Sequence, residues 1–562
     1  MDQTFCIDYS QLTKREKKID VEAEHISELV HRNRMKNGIA TIFHSERISL
    51  TFSSLKVESD QLASSFLSTG LSPGDRILLI GSNESLLLLS ILACARSKLI
   101  FCLVSPHFND SESLVRIMNQ GAFKAVCIFN SNAEIIYRLL KAASPDIARS
   151  ERGAVKSTAM PSLTHIFIAN EEHLHAGVYT MSSLMETKTD LSLLPSLDSF
   201  STHSMAALVQ SMGSTGVTRL AAVSHFQLLG GARSVNHAFG LSEGVRWESL
   251  HQSIQSLHQD SVCVCLPLHR GALLPLLCLS PFLSHCTLVF PAAEPLPASV
   301  FQCITYYNLS VLLSNGAALR LLLKIYERRQ TALRSLLKVL LIGERVSPEL
   351  RSQIRACSPS TQLIAVGYVL SETASIPIMA DESININKLV GRTITGFSCS
   401  IKEIKGGRPG MGRLFITPFQ PSTFLGYAPT FDQSELIDTG DVAEVDEEGN
   451  IHIVCPISDL VYDQKGFIFN HKPLEKILAL SHLIKGSQII ARPPSSFVAC
   501  CVPKKMPFDP HFLKAELSLL CRETGMRIPP FWAFLPDFPR TKTRVQKFKL
   551  RELLSEGKLE LI

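Results

Sequence analysis

Apolar runs of strand length alternate with longer helix-periodic segments over most of the chain, and this alternation limits the fold more than any other feature of its 562 residues. "GDRILLIGS" precedes a helical stretch from about Glu84, then come "LIFCLVSP", a helical "SESLVRIMNQG" and the strand-like "KAVCIFN". Strands that are apolar on both faces are buried on both faces, and intervening helices supply the crossovers a parallel sheet needs. The rhythm recurs through "THIFIAN", "CTLVFP", "LSVLLSN", "KVLLIGE" and "QLIAVGY". It predicts an α/β fold with a large N-terminal body of packed parallel or mixed sheets and crossover helices.

After Gly406 the texture shifts to short alternating segments, "GRLFITP" and "GNIHIVCP", which read as a small antiparallel subdomain closing the body. Past Pro456 a helix-like "LEKILALSH", strand-like "SQIIARPP" and "FVACCVP", and a basic "VQKFKLRELL" read as a small, mobile α+β lid domain. The expected division is a body over residues 1–455 and a lid over 456–562.

Composition narrows the class. With 45% hydrophobic and 19% charged residues the chain can bury a large core, and 56 basic against 51 acidic side chains give no field directed at nucleic acid. The fifteen cysteines sit mostly in apolar runs such as "SVCVCLPL" and "FVACCVP", as reduced buried thiols do, without the spacing of a zinc site. The first 25 residues lack the apolar core of a secretory signal, and their acidic residues argue against a mitochondrial presequence, so the expected location is the cytoplasm. "LLLLSILACARSKLIFCLV" is cut by Arg96 and Lys98 before the roughly 20 residues a membrane span needs, and reads as a buried helix running into a buried strand.

The stretch "SMGSTGVTRLAAVSH" is the first candidate for chemistry. "VQSMGSTG" reads as the end of a strand and "SHFQLLGGARSV" as the start of a helix, placing Gly213, Ser214, Thr215 and Gly216 in a strand-to-helix loop. Glycines let backbone N–H groups approach phosphate oxygens, and two hydroxyls add donors. A plain turn would use the same residues. It is not a Walker A loop, because no Gly-Lys-Ser/Thr follows.

With two further motifs, this loop resembles that of the adenylate-forming superfamily of acyl-CoA synthetases, luciferases and peptide-synthetase adenylation domains. That family's phosphate loop reads Ser/Thr-Gly-Thr-Thr-Gly-x-Pro-Lys-Gly with a later Ser/Thr-His. Here Gly213, Thr215, Gly216 and Ser224-His225 match, Ser214 replaces a Thr, Arg219 stands at the Lys and Leu220 at the following Gly. "VGYVLSETA" is similar to the family's Tyr-Gly-x-Thr-Glu, with Val369 and Leu370 departing from it. The resemblance implies that Tyr368 lies against adenine, Ser371 bonds a phosphate oxygen and Glu372 holds Mg²⁺, uses that suit an aromatic face and a carboxylate. "IDTGDVAEVDEEGNIHIV" resembles the Tyr/Trp-x-Thr-Gly-Asp segment and implies that Asp441 accepts hydrogen bonds from both ribose hydroxyls.

"LSPGDRILLIGSN", "LIGERVSPEL", "KGFIFNHKPLE" and "RVQKFKLREL" extend the likeness over nearly the whole chain; the last is similar to the ending of medium-chain acyl-CoA synthetases and, with "KSTAMPSLTHIFI" upstream, resembles among the subfamilies that of acyl-CoA synthetase family member two. The implied activity is that of an ATP- and Mg²⁺-dependent fatty acid:CoA ligase, AMP-forming, with coenzyme A as co-substrate and a medium-chain or similar acid activated through an acyl-adenylate. A mitochondrial location is the alternative this resemblance raises.

The same comparison exposes departures. "PRTKTRVQKFK" is one residue short of the lid motif: its Gly is missing and Arg544 aligns with the family's lid lysine, with Lys542 nearby. At the hinge, Pro456 and Ser458 stand where the family has an arginine and a lysine. "CLPLHRGALLPLL" puts His269 or Arg270 near the expected carboxylate tunnel, although a lone histidine in an apolar strand is also an ordinary packed residue. Together these changes define the alternative reading, a catalytically weakened relative that keeps a nucleotide or acyl pocket for regulation.

Overall fold

The unbroken apolar runs form the inner strands of two large sheets. The computed structural model describes residues 24–33, 35, 37–108, 110–129, 132–170, 175–212, 218–241, 260–343, 346–381, 391–463, 465–540 and 545–562. One seven-stranded sheet runs, edge to edge, through Tyr179–Thr180, His165–Ile168, Ala125–Ile128, Arg76–Ile80, Ile100–Val104, β1 (Met205–Met212) and β2 (Thr218–Ser224). All its neighbours are parallel except β1 and β2.

Helix α1 (His225–Phe239) leaves β2 directly. The second sheet has nine strands, with β3 (Leu363–Leu370) paired in parallel to Lys338–Ile342 and antiparallel to Ser375–Ala380. The helix Ser85–Arg96, buried from Leu87 through Ala95, is the sequence's "LLLLSILACA" and runs into the strand Ile100–Val104 as expected. One apolar core joins its Leu88 and Leu92 to Leu79, Phe101 and Val209 of the first sheet and to Val264, Leu313 and Leu340 of the second. Each fully buried leucine there contributes about 2 kcal/mol.

β4 (Ile437–Val445) and β5 (Ile451–Pro456) belong to a four-stranded antiparallel sheet with Ser398–Glu403 and Met411–Thr417, so this subdomain begins slightly before Gly406. Further on, Ile484–Arg492, Ser496–Pro503 and Phe531–Phe534 form a three-stranded sheet, and α2 (Lys547–Ser555) follows. This region has its own apolar clusters, around Phe497 and Trp532 and around Val498 and Leu550.

One local expectation is corrected. Residues 213–217 lie outside the described residues, but the described segment after them, Thr218–Ser224, is a strand antiparallel to β1 and not the lead-in of a helix. "TRLAAVS" is a second strand because Leu220 to Ser224 are buried in register against β1. The helix starts only at His225, where the Ser224 side chain accepts the Gln227 N–H and the Gln227 side chain accepts that of Ser224, a reciprocal cap. Among the described residues all cysteines are free thiols, no group of side chains is arranged to hold a metal through His, Cys, Asp and Glu alone, and no helix is long and apolar enough to cross a membrane.

Candidate active site

Two carboxylates anchor the site, one from within a strand and one from the turn just past a strand end. Asp441 comes from the "DTGD" of β4, where every residue has a local task. Asp438 accepts the Gly440 N–H at 3.0 Å and the Arg413 Nε–H at 2.8 Å. Thr439 donates to the Leu414 carbonyl at 2.8 Å and accepts the Asp441 N–H at 3.1 Å. Gly440 takes φ +72°, a left-handed conformation that suits glycine. The turn thereby fixes Asp441, whose Oδ2 accepts a 2.6 Å bond from the Tyr368 hydroxyl at the end of β3. Burial pushes the Asp441 carboxyl above the ordinary aspartate value, with the Tyr368 bond opposing it. Burial, then the Asp441 charge, pushes the Tyr368 phenol up, so it remains a donor.

Glu372 sits in the 3₁₀ turn Ser371–Thr373 that follows β3, and is 3% exposed. Its Oε1 accepts from Tyr427 Oη at 2.7 Å and from Ser211 Oγ at 2.9 Å, and lies 3.7 Å from an Arg219 guanidinium nitrogen. The register of β1 and β2 explains two of these partners. Ser211 pairs directly across from Arg219, so both project to one face of the hairpin. Two donors and a nearby cation balance a buried charge that would otherwise be costly.

Ser371, read from the sequence as a phosphate donor, gives its hydroxyl to the Gln210 carbonyl at 3.2 Å. His269 is partly buried; burial and the neighbouring Arg270 lower its pKa to about 4, and its Nδ1 is buried without a hydrogen-bond partner. Among the described residues no hydrogen bond or ion pair joins His269 to Glu372 or Asp441. Pro456 pairs across the ladder from Asp441, the Ser458 hydroxyl is buried without a partner, and Asp459 binds Arg551 of α2 at 2.5 Å. Gly213, Ser214, Thr215, Gly216, Lys542 and Arg544 lie outside the described residues.

The structure thus brings together Tyr368 with Asp441 and Arg219 with Glu372. It adds Ser211 and Tyr427, which the sequence reading does not single out. Ser211 could have been found from strand pairing, whereas Tyr427 stands in a loop whose text, "STFLGYAPT", has no periodic signal.

The model of the family described as "AMP-binding enzyme" matches residues 30–428. The chain belongs to that family. This AMP-binding enzyme is 23% identical over 554 residues to the medium-chain acyl-CoA ligase ACSF2, mitochondrial, of Bos taurus, covering 93% of this chain and 86% of the relative. It is 22% identical over 559 residues to the putative acyl-CoA synthetase YngI of Bacillus subtilis, covering 91% and 93%. The fold is shared with the anthranilate CoA ligase AuaEII in complex with anthranoyl-AMP, at TM-score 0.73 and 16% identity over 96% of this chain and 99% of that one. ATP-bound MatB from Rhodopseudomonas palustris gives TM-score 0.71 and 16% identity over 95% and 99%. Family membership and these relatives support an AMP-forming acid–CoA ligase, a class that uses ATP with CoA as co-substrate.

Proposed function

We propose that this AMP-binding enzyme is an acyl-CoA synthetase that activates a medium-chain or similar carboxylic acid. The convergence of Arg219 and Glu372 beside the Tyr368–Asp441 pair carries the reading. Tyr368 offers its ring to adenine, and Asp441 accepts from the two ribose hydroxyls. Glu372 fits a divalent ion because its protein partners fall on Oε1, while the described residues give Oε2 no hydrogen bond. A Mg²⁺ held there would neutralise phosphate charge.

The acid's carboxylate attacks the α-phosphorus of ATP, giving acyl-adenylate and pyrophosphate; the CoA thiol then displaces AMP, giving the thioester and a proton. This chain's residues supply position and charge: Arg219 and the loop 213–216 at the phosphates, and Arg544 at the α-phosphate from a lid beginning at 456. Loss of one well-aimed donor to such a transition state costs on the order of 100- to 1000-fold. His269 stays neutral near pH 7, and its unpartnered Nδ1 suits the polar end of the acyl site. Cytoplasmic placement remains our proposal, with the mitochondrion as the alternative because of the mitochondrial relatives.

Nothing in the comparisons favours the non-catalytic alternative. The test is mass spectrometry of purified protein incubated with MgATP, CoA and a ladder of straight-chain acids. Equal amounts of AMP and acyl-CoA are expected with at least one acid. Thioester formed without AMP, or no product with any acid, contradicts the proposal.

A further inference from the structure

The arginine at position 219 meets an aromatic ring. Its guanidinium carbon lies 4.2 Å from the centroid of the Tyr427 ring, and the hydroxyl of that tyrosine donates to Glu372 at 2.7 Å. One side chain therefore touches both the cation and the carboxylate of the site.

Tyr427 is well anchored for such a task. The Ala428 N–H donates to the Leu220 carbonyl and the Ala222 N–H to the Gly426 carbonyl, both at 2.9 Å. These bonds flank Tyr427 and tie its backbone to β2 within three residues of Arg219, while Phe424 packs edge-on at 5.0 Å. The ring is thereby held beside the strand that carries the arginine. At 3.7 Å the Arg219–Glu372 approach is longer than a hydrogen bond, and among the described residues the buried Arg219 Nε has no acceptor. The ring face, more than any hydrogen bond, therefore sets the plane of the guanidinium. A flat, weakly hydrated guanidinium stacks on an aromatic face in a way that a compact ammonium does not.

We propose that Tyr427 is a positioning residue that seats Arg219 and Glu372 as one unit, so that arginine at 219 is matched to its platform rather than a faulty lysine. The proposal rests on the ligase reading for its ligand, MgATP. It predicts that Arg219→Lys weakens the site, the opposite of what a merely missing lysine would give.

The experiment is a set of variants, Arg219→Lys, Tyr427→Phe, Tyr427→Leu and the Arg219→Lys/Tyr427→Leu double, read by calorimetric binding of ATP across a Mg²⁺ series and by thermal midpoint. Arg219→Lys is expected to weaken MgATP binding about 3- to 10-fold in the parent, and by less than about 2-fold once the ring is gone. Tyr427→Phe keeps the platform but frees Glu372, so the half-saturating Mg²⁺ concentration is expected to rise about 3-fold or more while affinity at saturating Mg²⁺ holds. Arg219→Lys tightening MgATP, or equal losses with and without the ring, overturns the proposal. So does an unchanged Mg²⁺ requirement in Tyr427→Phe. Should the parent bind no MgATP, the ligase reading fails, and the thermal midpoints still judge the pairing. A drop from Arg219→Lys that vanishes in the Tyr427→Leu background supports it, and equal drops contradict it. If Tyr427→Leu does not fold, Arg219→Lys and Tyr427→Phe decide by their own signs.

Discussion

Among the described residues Glu372 accepts on one oxygen from Ser211 and Tyr427 with Arg219 close by, side chains of three separate segments, whereas Asp441 receives a single side-chain bond, from Tyr368. The first carboxylate is oriented and charge-balanced before any ligand arrives. The second is half-buried, raised in pKa and, among the described residues, short of donors. A partly desolvated carboxylate short of donors is stabilised by whatever supplies them, so on the proposed reading the Asp441 corner is one that ATP completes and the Glu372 corner one that the protein completes.

The sharpest way to break this contrast is to remove Asp441. Asp441→Ala should weaken ATP binding about 100-fold or more in a calorimetric titration, because two charge-assisted bonds are lost together. Removing charge at the other corner should do less to affinity and more to metal dependence. Glu372→Gln retains an acceptor for Ser211 and Tyr427, and the Mg²⁺ concentration for half-maximal ATP binding should rise about 10-fold. Equal behaviour of the two variants would erase the distinction.

Acid should separate the corners next. Because the Asp441 pKa is raised, its proton-accepting form is lost at higher pH than for an exposed aspartate, so ATP affinity should fall with pH above the usual aspartate range. In Asp441→Asn that part of the profile should flatten. Stability follows a different sign. Burial lowers His225 to about 3 and His269 and His471 to about 4, so their contribution is present above the unfolded imidazole value near 6.5 and is lost as pH falls towards 4. Asp441 acts in the opposite sense, since its folded form takes up a proton more readily than the unfolded chain. His25 and His165 are lowered by burial in the same sense as these three histidines, and Glu24, Glu46 and Glu58 are raised like Asp441. The histidines are the groups whose unfolded value lies between pH 7 and pH 5, so folding stability should fall over that span by roughly 1 kcal/mol per buried histidine per pH unit, seen as a lower thermal midpoint; a flat midpoint would refute this. The smallest effect is expected from Ser211→Ala, about a 2-fold rise in the Mg²⁺ requirement, since Tyr427 still holds the same oxygen.

Much of this was legible in the residues. The apolar runs were the strands, "LLLLSILACA" was a buried helix, and "DTGD" and "VGYVLSET" marked Asp441, Tyr368 and Glu372. What escaped depended on pairing across distant segments. "TRLAAVS" looked like a lead-in to a helix because nothing local shows that it will pair with β1. Tyr427 lies 208 residues beyond Arg219, and only the fold shows that the unusual cation has a ring beneath it.

The most direct test of the central claim is pyrophosphate release by purified protein with MgATP and a ladder of carboxylic acids, without CoA. The account predicts release that depends on the acid and is strongest for one span of chain length. ATP bound tightly with no release for any acid would contradict it.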